Sequence, residues 1–408
     1  LSGERAPGEG SASPASPTDP TPRHAEATDA EIEALVGARL GAAQAFFDQV
    51  RTPEGNVVTS PISLQAALQM TALGAVGSTA AEIRQAIGWP DGMEASRVEA
   101  ASSALARRLQ ASEAVTVRIA NRIWPDASLA HGLGADFLVD VERWYGATPS
   151  PLAFGTDAEA ARQTINAWVS EQTADRIPEL LAPGSVDAGT AMVLTNAVYF
   201  LADWARAFDP ARTRDGSFTR VNGSVVPVPM MHAGEAVGYA SSEDWQAVGL
   251  PYGDAAWSMV LVLPREGHFE GLAPRAVTVL DEAARALVPR DVQLELPRFT
   301  FRWRQSLVPA LRALGVQLAF GGGDFSRMVP GGGGGIFLSE VVQEAFLQVD
   351  ERGTEAAAAT AVVATRSAPS RPVPIRVAFD RPFYLGLRHR PSGALLFVGQ
   401  VTDPSAGG

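Results

Sequence analysis

The order of apolar and polar residues divides the chain into a helical first part and a strand-rich second part. From Asp29 onward, Leu35, Leu40, Ala43, Phe46 and Phe47 recur near helical spacing, and the Thr28–Asp29 region can cap the first turn, so a helix is expected there. Residues 56–61 (NVVTSP) read as a short strand broken by proline. A second helix runs through Leu64, Ala67, Leu68, Thr71 and Leu73 and ends at Gly74, and another starts within 80–87. Residues 191–200 are apolar almost throughout, which marks a strand buried on both faces at the centre of a sheet. Residues 225–231 and 257–263 are further strands, and 294–299 alternate like a half-exposed one. Helix signals before about residue 190, strands after it and no internal repeat predict an α+β fold rather than a βαβ array.

Residues 1–28 are rich in Pro, Ser, Ala, Gly and Thr, with almost no large apolar side chain after Leu1. Such a segment cannot bury enough surface to offset its ordering entropy, so a disordered leader is expected ahead of one folded unit at 29–408. The first residue is not Met, and a flexible polar leader suits a protein placed outside the cytoplasm, secreted or tethered to the cell surface.

Composition narrows the chemistry. The net charge of −12 repels phosphate backbones, so no nucleic-acid partner is expected, and a glycosaminoglycan is disfavoured for the same reason. No apolar run reaches the ~18–20 residues that span a bilayer. Cysteine is absent and all 33 basic residues are arginine, which excludes disulfides, thiolate catalysis, a P-loop lysine and a Schiff-base lysine. The histidines (24, 131, 232, 268, 389) have no metal-ligand spacing, and no GxSxG elbow occurs. The glycine run at 331–335 lacks a following Lys-Ser or Lys-Thr and reads as a loop. No catalytic residue, metal or cofactor is expected.

The most unusual stretch is 351–372, ERGTEAAAATAVVATRSAPSRP, which follows a strand-like segment at 345–350 and precedes two more at 377–379 and 382–387. An alanine run beside glutamate proposes a surface helix. Thr360, Val362, Val363 and Thr365 favour strand instead, and the Pro-rich tail cannot be helical.

This segment resembles the reactive-centre loop of a serpin of the inhibitory, bacterial-like type. Its hinge would be Glu351, Gly353, Thr354, Glu355, Ala356, Ala357, Ala358, Ala359 and Thr360. Other blocks agree in order: NVVTSPIS at 56–63, LGA at 73–75, GST at 77–79, TNAVYF at 195–200 with Trp204, Phe208 and Thr213, VPMM at 228–231, DRPF at 380–383 and FVGQV at 397–401 with Pro404. The resemblance covers about residues 30–405. It implies a helix-rich N-terminal part packed on a large central β-sheet, further sheets, and an exposed loop at about 351–372. It also implies a polar cluster, Asn56, Ser60, Ser63 and Asn196, pinning the strands that must part, with Gln343 where the family usually has histidine, and a breach at Trp204. The implied activity is inhibition of a trypsin-like or subtilisin-like serine protease by a monomer. Cleavage would send the loop into the sheet as a strand and trap the protease as a covalent acyl-enzyme. The alternatives are a non-inhibitory serpin acting as a binding protein and a cross-class inhibitor of cysteine proteases.

On insertion alternate side chains would enter the core. These are Thr354, Ala356, Ala358, Thr360, Val362 and Ala364, all small. Two registers compete for the cut. Counting from the hinge places Ser367 before the scissile bond, whereas counting back from Pro382–Phe383 places Arg371 there. Arg371 precedes Pro372, which most serine proteases do not cut, so Arg366–Ser367 is the expected reactive bond, with Val363, Ala364 and Arg371 as alternatives.

Overall fold

The computed structural model describes residues 27–112, 114–331, 336–354 and 373–406. Most of the expected leader, the glycines 332–335 and the loop 355–372 lie outside the described residues.

Thr28 opens α1 (Asp29–Val50). Its hydroxyl accepts from the Glu31 N–H and the Glu31 carboxylate accepts from the Thr28 N–H at 2.8 Å, a reciprocal cap for two otherwise orphaned donors. Pro61 does not simply break a strand: it is the first residue of α2 (Pro61–Ala72), where its missing N–H costs nothing, and Ser60 caps the helix. The helices α3 (Gly77–Ala86), α4 (Ala95–Gln110), α5 (Ala135–Tyr145) and α6 (Phe154–Gln172) complete the N-terminal part. Three short helices, α7 (Phe269–Leu272), α8 (Ala276–Ala286) and α9 (Val308–Ala313), interrupt the later strands.

Among the described residues the strands form two sheets. The five-stranded sheet contains β2 (Val115–Pro125), β3 (Met192–Asp203), β9 (Phe299–Ser306), β10 (Glu340–Val349) and the two-residue β11 (Gly353–Thr354). The nine-stranded sheet contains β1 (Val57–Thr59), β4 (Arg214–Thr219), β5 (Val225–Ser241), β6 (Trp245–Pro251), β7 (Trp257–Pro264), β8 (Val288–Pro297), β12 (Ile375–Ala378), β13 (Phe383–His389) and β14 (Leu395–Val401). The α+β class is therefore observed. The helix-first reading is too simple, because β2 lies ahead of residue 190 and turns Val115, Val117 and Ile119 to one core cluster and Ala120 and Trp124 to another. Residues 294–299 are not one strand either: β8 ends at Pro297, Arg298 donates its N–H to the Pro229 carbonyl, and β9 starts at Phe299 in the other sheet.

As its apolar run predicts, β3 is buried along nearly its whole length at the centre of the five-stranded sheet. On one edge it pairs antiparallel with β2, from Val115↔Ala202 to Pro125↔Met192. On the other it pairs in parallel with β10, from Glu340↔Val193 to Ala345↔Val198. Behind the sheet, α2 touches β2 and β3 and reaches β14 of the larger sheet. On the front, Phe154, Ile165 and Val169 of α6 share a cluster with Val193 and Ala197 of β3 and Val342 of β10, and α6 also touches β2.

Replacing Thr28 by Ala removes the α1 cap and is expected to cost about 0.5–1 kcal/mol, because the site is exposed. A lower thermal midpoint, with the near-ultraviolet circular dichroism of the folded protein unchanged, checks it.

Candidate functional site: a parallel seam and its entry

The parallel boundary between β3 and β10 is a seam with a lock across it and an opening above it. At the lock, Gln343 stands opposite Asn196 in the strand register, and both are fully buried. The Gln343 amide uses its full hydrogen-bonding capacity. Its Nε2 donates to the Ser60 carbonyl at 3.0 Å and to Asn196 Oδ1 at 2.5 Å. Its Oε1 accepts from the Ser60 N–H at 3.0 Å and from the Thr59 hydroxyl. Asn196 donates in turn to the Ser63 hydroxyl and to Asn121 Oδ1, and the Ser63 hydroxyl reaches the same oxygen at 3.3 Å. One neutral network thus ties both seam strands to the start of α2 and to β2.

The structure brings Ser60, Ser63, Asn196 and Gln343 together, as the resemblance implies, but not Asn56. Asn56 lies just ahead of β1; its Nδ2 donates to the Asp403 carbonyl at 2.6 Å and its Oδ1 accepts from the Thr402 and Asp403 N–H groups. It anchors the C-terminal end instead, because Thr59, three residues further on, is the one that faces the seam. Thr59 and Asn121 were the members that sequence reasoning missed. Thr59 sat within the quoted 56–63 block, and Asn121 falls in the alternating stretch of β2.

Above Val198 and Ala345 the seam strands no longer pair with each other. β11 lies there, antiparallel to β3, with Gly353↔Asp203 and Thr354↔Ala202. A Cβ on Gly353 would come within 2.1 Å of the Ala202 carbonyl oxygen, so only glycine allows this approach. Thr354 is 1% exposed and its hydroxyl hydrogen-bonds the buried Tyr252 hydroxyl at 2.6 Å. Burial pushes the Tyr252 hydroxyl far up, with the Thr354 contact opposing, so it stays protonated and able to donate.

Trp204 organises the entry. It stacks on Tyr252 with ring centroids 4.4 Å apart, donates its indole N–H to the Asp350 carbonyl at 2.9 Å and its backbone N–H to the Arg352 carbonyl at 2.7 Å. Glu351 is held by the Thr213 hydroxyl at 2.7 Å, with Arg298 at 3.7 Å. Tyr252 and Asp350 carry no sequence signal of their own; only the fold places them here. Thr354 was expected to be the first residue to enter the sheet, and it already occupies that position. Glu355, Ala356, Ala357, Ala358, Ala359, Thr360, Val363, Ala364, Arg366, Ser367 and Arg371 lie outside the described residues. Among the described residues no group of His, Cys, Asp and Glu could hold a metal ion, and no helix is long and apolar enough to cross a membrane.

Residues 42–404 match the family model described as serpin (serine protease inhibitor), and the chain belongs to the serpin family. An uncharacterized serpin-like protein of Thermococcus kodakarensis is 31% identical over 96% of this chain and 90% of its own. Leukocyte elastase inhibitor A of Rattus norvegicus is 34% identical over 86% and 94%. Among solved structures, the native state of the thermophilic serpin tengpin superposes with a TM-score of 0.81 at 26% identity, covering 93% of this chain and 95% of that one. Human thyroxine-binding globulin in complex with its ligand gives 0.80 at 28%, covering 92% and 100%.

Replacing Gln343 by Ala strands buried groups of Ser60 and Asn196, at about 1–3 kcal/mol for each group left unpaired. The thermal midpoint of the intact protein is expected to fall by several degrees, and Gln343→Glu at neutral pH should do at least as much harm.

Proposed function

We propose that this serpin inhibits serine endopeptidases as a suicide substrate: a protease cleaves the loop, the loop enters the seam, and the protease is held as an acyl-enzyme. The observation that carries the reading is the ladder pair Thr354↔Ala202 at the mouth of the seam. Continued in the same register, the loop would run down β3 until Ala364 faced Met192, the residue that begins that strand. Thr354, Ala356 and Ala358 would share a face with Ala202, Phe200 and Val198, which point into the main core. Thr360 would come level with Asn196, placing a hydroxyl at the one polar level of an otherwise apolar wall. Small side chains on the inward face let the strand in without displacing core residues.

The energetics support the direction of the change. The seam is parallel, and a loop strand entering between β3 and β10 would run antiparallel to both. One parallel ladder is replaced by two antiparallel ones, with a gain of main-chain hydrogen bonds and buried area. The intact fold is then held by a barrier rather than by being the most stable arrangement. The bait is Arg366. Attack of the protease serine on the Arg366 carbonyl forms the ester and frees Ser367 as a new amino terminus; insertion then distorts or removes the protease before water can hydrolyse the ester. An arginine before the cut fits the acidic pocket of a trypsin-like enzyme, and a subtilisin-like enzyme is the other target class. The serpin supplies bait and refolding, and the catalytic groups are those of the protease. The small inward residues distinguish this reading from a carrier role.

Incubation with trypsin and with subtilisin should give a complex stable on denaturing electrophoresis and a released C-terminal peptide that begins at Ser367. Absence of complex with every serine protease, with the loop merely nicked, overturns the reading. Arg366→Ala is expected to slow inhibition of trypsin about 100-fold or more, with less effect on subtilisin. Unchanged trypsin inhibition would move the bond to Arg371.

Thr354→Arg tests the entry. A guanidinium cannot be buried unpaired beside Tyr252 without a cost of several kcal/mol, so β11 leaves the sheet and insertion is blocked at its first step. The expected result is the same cleavage site with the covalent fraction replaced by cleaved, released protein.

A further inference from the structure

The hairpin between β4 and β5 carries chemistry that the seam does not use. Its strands pair Thr219 with Val225, and the Arg220 N–H donates to the Ser224 carbonyl at 2.8 Å. Val221, Asn222 and Gly223 are left as the tip. The Gly223 N–H closes the tip on the Arg220 carbonyl at 2.9 Å, and Gly223 holds φ +81°, the left-handed conformation that follows a type I turn in such loops. Asn222, Gly223 and Ser224 are all exposed. Of the five asparagines in the chain, only Asn222 precedes a glycine.

The Asn222 side chain folds forward over this turn. Its Oδ1 accepts from the Ser224 N–H at 3.0 Å and from the Ser224 hydroxyl at 2.7 Å. The Ser224 hydroxyl oxygen accepts in turn from Arg220 Nη1 at 3.3 Å, so a guanidinium backs that donor. Two donors on one amide oxygen draw electrons from Cγ and favour negative charge on the oxygen, as in the intermediates of acyl transfer. Because Oδ1 reaches the N–H two residues ahead, the amide is folded toward the intervening nitrogen of Gly223. Glycine presents that nitrogen with no Cβ to hinder a close approach.

We propose that Asn222 is a site of self-modification, converted to aspartate and isoaspartate through a cyclic imide formed with the Gly223 nitrogen. The Gly223 N–H leaves the Arg220 carbonyl and gives its proton to solvent base. The nitrogen bonds to Cγ, and the charge collects on Oδ1 between the two Ser224 donors. Collapse breaks the bond from Cγ to the side-chain nitrogen, which takes a proton and departs as ammonia. Water then opens the ring at either carbonyl, so asparagine and water become an acid and ammonia, with no oxidant or further reactant. Opening at the main-chain carbonyl leaves isoaspartate, whose backbone is one methylene longer and cannot close the tip in the same register. Either product sets a negative charge beside Arg220, in competition with Asp403, its present partner at 2.6 Å.

The test keeps the full chain at mildly alkaline pH and follows each asparagine by peptide mass spectrometry, with electron-transfer fragmentation to tell isoaspartate from aspartate. Asn222 is expected to convert at least about tenfold faster than Asn56, Asn121, Asn166 and Asn196, and to give both acids. Ser224→Ala removes the hydroxyl donor and should slow conversion about threefold or more in the folded protein. In urea, where the turn is lost, the parent and Ser224→Ala should convert alike; near-ultraviolet circular dichroism confirms that the variant folds. Conversion of Asn222 no faster than that of the other asparagines overturns the site. So does a sugar found on Asn222, which the sequence Asn222-Gly223-Ser224 also permits, because the amide nitrogen would then be blocked. Equal rates for the parent and Ser224→Ala in the folded state, or faster conversion in urea than in the folded protein, overturn the role of the turn.

Discussion

Everything in this molecule turns on one parallel ladder. In the five-stranded sheet the described strands pair antiparallel everywhere except between β3 and β10. That ladder joins two strands buried on both faces and stops short of their ends. The sheet therefore has a built-in weak line, closed by short-range pairs below and by the Gln343 network in the middle. A strand entering there would improve the sheet rather than disrupt it, which is the condition for storing free energy in a folded state.

The lock and the entry impose opposite demands. Under the proposed mechanism Gln343 and Asn196 would hold the seam closed before cleavage, and their bonds would yield once the loop is free. A neutral amide pair meets both demands: each bond is modest, the set is fully satisfied, and no buried charge has to be stranded when the strands part. Gln343 also lacks the titration that a histidine would bring near neutral pH. On the front, Ile165 and Val169 of α6 share a cluster with Ala197 and Val342, so that mechanism would also require α6 to give way. At the top, Gly353 and Thr354 already pair with β3 in the register that the proposed insertion would continue.

The sequence made some of this readable and left the rest to the fold. The apolar run of β3 declared a central strand because burial on both faces leaves no polar alternation to confuse it. The capped start of α1 was equally plain. The order of short motifs pointed to the family and so to Ser60, Ser63, Asn196 and Gln343, residues without any pattern of their own. Asn56 was misplaced because adjacency in a motif is not adjacency in space: β1 turns Thr59 to the seam and leaves Asn56 to the C-terminus. Tyr252 and Asp350 could not be foreseen, since their roles arise from packing between strands far apart in the chain.

The central claim is that the β3–β10 seam must open for a protease to be trapped. The chain has no cysteine, so a single engineered pair tests this cleanly. Val198 and Ala345 are register partners, both fully buried, at the top of the closed part of the seam, a separation that a disulfide can bridge. The measurement is the covalent fraction formed with trypsin by Val198→Cys/Ala345→Cys, oxidised and then reduced. The account predicts that the oxidised protein is cleaved in the loop without forming covalent complex, and that reduction restores trapping. Equal trapping in the oxidised and reduced states would contradict it.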